Sequence, residues 1–120
     1  AVTLCSLSLP QQEERAKNLK VLPRNISHDE LDKVMKGFKD ALGVKCSFCH
    51  APRKDNPQKL DFASDENKHK EIARDMMRMT AKINKKYFKG HETLSVNCYT
   101  CHRGNKEPLT VPVAGGQDKK

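Results

Sequence analysis

Apolar residues recur along the chain in two stretches of helical period, and each stretch is followed by a short cysteine-bearing segment. In the first, Leu31, Val34, Met35, Phe38 and Leu42 share one face, which predicts an amphipathic helix. Ser27-His28-Asp29-Glu30 reads as a capping box, in which Ser27 and Glu30 satisfy two orphan amides. Ile26 is placed to pack on Leu31 as a hydrophobic staple, and Gly43 is placed to end the helix. In the second stretch, Ile72, Met76, Met79, Ile83 and Tyr87 form a stripe that predicts a long helix from near Ser64 to Phe88, with Gly90 beyond it. The opposite side carries Lys70, Arg74, Arg78, Lys82 and Lys86, each four positions apart. Like charges at that spacing cost about 0.2–0.5 kcal/mol per pair, and Glu66, Glu71 and Asp75 offset part of this. The ridge reads as a solvated face or as a docking ridge for an acidic partner.

The remaining segments are polar or irregular. Residues 11–25 are expected to wrap the surface, and Ala51 to Ser64, with Pro52 and Pro57, reads as a loop. The opening AVTLCSLSLP reads as the tail of a signal peptide's hydrophobic region or as a weakly docked mature N-terminus. Cys5 within it is a free or partnered thiol, or a lipidation site. The layout is therefore 1–25 as leader and surface segment, 26–110 as one domain, and 111–120 as a mobile tail. The fold class is all-α, built of two units in which a helix precedes a cysteine motif, with long loops between.

Composition adds a constraint. The chain has 120 residues, of which 36% are hydrophobic, with no Trp, four Phe and two Tyr. Its mean hydropathy is −0.80. A small chain buries a limited share of its surface, and so few large side chains do not offset the entropy of ordering the backbone. A non-protein group is expected to complete the core. The formal charge of +8 bears on solubility and on encounter with partners rather than on fold. Nucleic-acid binding is set aside, because neither a recognised motif nor an aromatic stacking platform accompanies the charge.

The cysteines identify the group. Four of the five form Cys46-Ser47-Phe48-Cys49-His50 and Cys98-Tyr99-Thr100-Cys101-His102. With 5 His in the chain, finding one directly behind both pairs is expected by chance about once in six hundred chains. Cys-x-x-Cys-His is the signature of c-type haem attachment. The two thiols lie on one side of a helical turn and reach the two vinyl groups of one haem, while the adjacent His ligates iron. Cys46, Cys49 and His50 would hold one haem, and Cys98, Cys101 and His102 a second. A Cys₄ zinc site is a poorer reading, because 48 residues separate the pairs, against a usual gap of about 15–20. A thioredoxin-like pair is poorer too, since no βαβ pattern surrounds either motif.

The other axial position decides between electron transfer and catalysis, because an open iron binds small substrates. A Met thioether stabilises ferrous iron, and each motif is preceded by a helix bearing a stripe Met. Met35 is the candidate for the first iron and Met76 or Met79 for the second, with Met77 pointing elsewhere. His28, His69 and His91 are rivals, and His91, just before the second motif, is the foremost of them.

From about Leu22 to Pro108 the chain resembles the cytochrome c subunit of photosynthetic reaction centres, through LGVKCSFCHAP, LDFASDENKHKEIARDMMRMTAKIN and VNCYTCHRGNKEP. The resemblance implies helix-plus-haem units with Met from the helix as ligand. It points to Met35 for the first haem. For the second it points to Met76, because the 22 residues from Met76 to Cys98 match the family spacing. One haem of that family takes a His from the other half of a four-haem chain, an arrangement that here requires a second molecule.

The expected function is electron transfer between protein partners in the periplasm, or otherwise outside the cytoplasm, by two six-coordinate His/Met haems. Membership of a membrane complex and stacking of subunits into a filament are the alternatives. A haem peroxidase or reductase with one open iron is disfavoured by the candidate Met for each iron, so an enzyme is not expected.

Overall fold

The structure is a computed structural model and describes residues 14–91 and 93–113. The expectations for the leader, for Cys5 and for the last seven residues of the tail lie outside the described residues.

Helix α1, His28–Leu42, has the ends its sequence specifies. The Ser27 amide donates to Glu30 Oε2 at 3.2 Å, and the Glu30 amide donates to Ser27 Oγ at 3.2 Å. Gly43 ends the helix at φ 65°, donating its N–H to the Lys39 carbonyl. The first motif follows as a 3-10 turn over Cys46–Phe48.

The loop after it contains one element that the sequence reading omits. Strands β1, Ala51–Pro52, and β2, Leu60–Asp61, form a two-residue antiparallel ribbon in which Ala51 faces Asp61 and Pro52 faces Leu60. The Arg53 amide donates to the Lys59 carbonyl at 2.8 Å, and Lys59 to the Asn56 carbonyl at 2.9 Å, which closes the turn around Pro57. Such a ribbon is too short to leave an alternating pattern.

Helix α2 spans Lys68–Tyr87, so it begins four residues later than expected. Residues 61–66 are held instead in side-chain-stabilised turns. Asp61 Oδ1 accepts from the Ala63 and Ser64 amides, and Ser64 Oγ accepts from the Glu66 amide. Asn67 is the cap, with its Oδ1 taking the His69 amide at 3.0 Å. Helix α3, Cys98–His102, is the second motif itself, opened by a reciprocal cap between Asn97 and Thr100.

Two glycines join the units. The Gly104 amide donates to the Ala41 carbonyl at 2.8 Å, closing the exit of the second motif onto the end of α1. A Cβ on Gly43 would collide with the Gly104 carbonyl oxygen. Ala41 and Ala51 are the buried hydrophobic residues among those described.

Gly43→Ala is expected to lower stability by about 1–3 kcal/mol, through left-handed strain and that collision. Gly37→Ala, in open space inside α1, is expected to raise it by about 0.5–1 kcal/mol. Denaturant unfolding of the two variants checks the pair.

Candidate cofactor site

Each motif is fastened to α2 by a side-chain amide. At the start of α2, Asn67 Nδ2 donates to the Phe48 carbonyl at 3.0 Å and lies 3.4 Å from that of Ser47. His69 Nδ1 lies 3.0 Å from the same Phe48 oxygen, and its ring stacks on Phe48 with centroids 4.1 Å apart. His69, a rival ligand in the sequence reading, is thereby committed to holding the first motif. Farther along, Asn84 Nδ2 donates to the Val96 carbonyl at 2.8 Å and Oδ1 accepts its amide at 2.7 Å. That clamp fixes the approach to the second motif. Neither asparagine stands out in the sequence, because an amide anchor has no periodicity.

Around the first motif lies a cavity of about 1180 Å³ lined by Met35, Cys46 and His50, together with Leu31, Leu60 and Phe62. This is slightly beyond the usual range of about 300–1,000 Å³ for small-molecule and cofactor sites. Its far wall is the segment from Glu14 to Leu22. That segment does more than wrap the surface, because Asn18 Nδ2 donates to the Ala63 carbonyl at 2.7 Å and to Asp65 at 2.9 Å. The structure thus brings Met35, Cys46 and His50 to one cavity. Cys49, half-buried, belongs to the same turn, and burial pushes its thiol up. Burial, then the charge of Lys70, pulls the His50 imidazole below its ordinary value, favouring the neutral form that ligates metal.

At the second motif, burial pushes the Cys98 thiol up, while Cys101 is exposed. His102 Nδ1 lies 2.9 Å from the Asn105 carbonyl oxygen. A proton on Nδ1 would complete that bond and leave Nε2 with a free lone pair. His91 is exposed in the connector, and His28 pairs with Asp32 at 3.4 Å. No disulfide joins the four motif thiols, and among the described residues no three His, Cys, Asp or Glu gather into a metal cluster.

The faces of α2 differ from the expectation. Met76 and Met79, expected on a buried face, are 38% and 43% exposed, and Ile72 and Tyr87 are 53% and 64% exposed. The covered side carries Lys70, Ala73, Arg74, Met77 and Asn84 instead. Arg74 is buried within the ridge that was read as solvated or docking. It pairs with Asp65 at 3.0 Å and Glu71 at 2.7 Å, and donates to the Asn18 carbonyl at 3.2 Å. The cause is the turn at residues 61–66, which sets Asp65 against this side and draws the cations inward. Ile72, Met76, Met79 and Tyr87 of the apolar stripe are left facing outward, with Ile83 half-buried beside them, as a surface able to take a large flat apolar group. Stripe, cavity and the two motif histidines together fit haem.

These features define a c-type cytochrome. A family model described as the photosynthetic reaction centre cytochrome C subunit matches residues 3–119, and the chain belongs to that family. It is 29% identical over 113 residues to the photosynthetic reaction center cytochrome c subunit of Rubrivivax gelatinosus, covering 92% of this chain and 28% of that protein. The subunit of Thermochromatium tepidum is 30% identical over 101 residues, covering 82% and 23%. That of Roseobacter denitrificans is 33% identical over 110 residues, covering 82% and 28%. The chain thus spans about a quarter of the length of these relatives. Membership of that family makes haem c the cofactor class that the two Cys-x-x-Cys-His segments would hold.

Asp65 accepts from Asn18, Lys20, Arg74 and Lys70, which hold its carboxyl far below the ordinary 3.8. A depressed folded value stabilises the fold above the unfolded pKa and ceases to do so as pH falls toward the folded one. Stability is therefore expected to decline as pH drops below about 4, and Asp65→Asn is expected to flatten that decline. Unfolding curves between neutral and acid pH that run parallel for the two proteins would remove Asp65 from this role.

Proposed function

We propose that the chain is a two-haem c-type cytochrome that carries electrons between protein partners outside the cytoplasm. Haem at each motif supplies an iron that gains and loses one electron. Cys46 and Cys49 tether the first haem and Cys98 and Cys101 the second. His50 and His102 offer the proximal nitrogen. Met35 offers the opposing thioether at the first site and Met76 at the second, with Met79 and His91 as the alternatives there. The observation that carries the reading is the shared cavity of Met35, Cys46 and His50. Two features support it further: the second pentapeptide is folded as a helix on its own anchor, and Met76 is presented outward on the apolar stripe.

The location follows from the chemistry, because haem is joined to cysteine outside the cytoplasm. No helix among the described residues is long and apolar enough to cross a membrane. Beyond Arg78, which pairs with Asp75 at 2.8 Å, Lys82 and Lys86 of the ridge are exposed. They suit an acidic protein partner whose approach they would speed at low salt. The length and family of the relatives, each named as a subunit, favour docking to a larger membrane-associated electron-transfer complex or to further copies of this chain.

Met35→Ala is expected to convert the first haem to high spin and lower its potential, leaving the second haem low spin. Met76→Ala is expected to do the same at the second haem alone. Absorption and paramagnetic NMR spectra of both redox states are the check. A Met35→Ala spectrum identical to that of the parent protein would sink the assignment. For the second haem, an effect of Met79→Ala or a His91 substitution in place of Met76→Ala would move the ligand there.

A further inference from the structure

The two motif histidines differ in what their second ring nitrogen meets. Nδ1 of His102 lies 2.9 Å from the Asn105 carbonyl oxygen. Nδ1 of His50 is buried and, among the described residues, has no hydrogen-bond partner. Phe62 packs edge-on against the His50 ring, with centroids 5.0 Å apart at 71°, so residue 62 borders the imidazole. Lys70 Nζ donates to the Phe62 carbonyl at 2.8 Å and to the Ser64 carbonyl at 2.8 Å, so the backbone oxygen that bears on the His50 imidazole is shared with a cation. The Lys70 side chain is only 13% exposed and lines the same cavity as His50. Asp65 lies 3.3 Å from Lys70 but also serves Lys20 and Arg74, and Glu71 serves Arg74 and Arg78, so four cations face these two carboxylates. Arg103, the cation next to His102, is exposed, where water and salt screen its charge.

An imidazole that donates its second N–H to a carbonyl is a stronger ligand and favours ferric iron. A nearby shielded positive charge favours ferrous iron. Both differences between the sites act in one direction. Building on the two-haem reading above, we propose that Lys70 is a positioning residue that raises the reduction potential of the haem held by His50 above that of the haem held by His102. It does so by setting a shielded charge beside the ring and by competing for the Phe62 carbonyl. With haem held at both motifs, an electron shared by the pair would rest on the haem held by His50, the one held by His102 being oxidised in exchange, with no proton or bond transferred.

The test is an equilibrium redox titration of the whole two-haem protein, with each haem followed by its assigned paramagnetic NMR signals. In the parent protein the first haem is expected to be reduced first. Lys70→Gln is expected to lower the ratio of reduced to oxidised first haem about tenfold at a fixed potential, the order of effect of removing one shielded unit charge at an effective dielectric near 20. For a one-electron couple that is about 59 mV. The second haem should not move, and Lys70→Arg should retain most of the parent value. A parent protein whose second haem reduces first overturns the proposal, and this holds even if Lys70→Gln fails to fold. A Lys70→Gln protein in which neither haem shifts, or both shift equally, also overturns it. Intact mass on the same samples separates the two levels. A first motif without haem defeats the two-haem reading and this inference together, whereas two attached haems with unmoved potentials defeat this inference alone.

Discussion

Each Cys-x-x-Cys-His segment is fixed to one helix by the side-chain amide of an asparagine. Asn67 grips the backbone of the first segment, and Asn84 brackets Val96 before the second. The two anchors stand roughly 25 Å apart along α2 at about 1.5 Å per residue. A hydrogen bond of this kind contributes only about 0.5–1.5 kcal/mol net. Its directionality nevertheless sets where each cysteine turn begins, which nonspecific apolar packing would not do. The contact between Gly104 and the end of α1 then closes the two units on each other. Small residues are required there because two backbones meet.

Polar anchoring of this sort leaves the apolar surfaces of the helices available. Among the described residues the buried hydrophobic side chains are two alanines, while the α2 stripe and the cavity beneath Met35 present larger ones. A chain so arranged gains little from its own packing relative to the entropy of folding. Haem of the c type suits that arrangement, because it brings a large apolar plate and is held covalently. The covered side of α2 has a different task. Arg74, Asp65 and Glu71 tie the helix to the turn at residues 61–66 and to Asn18, and so hold the cavity wall in place.

How much of this was legible in the sequence depended on the range of the interaction. The ends of α1 were readable because Ser27, Glu30 and Gly43 act within a few residues of one another. The haem motifs were readable because their chemistry is local. The start of α2 differs by four residues, since Ser64 has the chemistry of a cap and the side-chain turns of Asp61 and Ser64, with the Asn67 cap and its contacts to residues 47 and 48, decide against it. The ridge from Lys70 to Lys86 was misread at its first half for a similar reason. Helical spacing shows which residues share a face but not what faces them, and Asp65 and Asn18 approach from outside the helix. Family membership was visible in the segments flanking the motifs, and the family model bears it out.

The most direct measurement is the intact mass of the purified protein under denaturing conditions, which strips any non-covalent ligand and leaves thioether-bound haem in place. Two attached haems should appear as an excess of two haem masses over the polypeptide. An excess of one haem, or of none, would contradict the central claim.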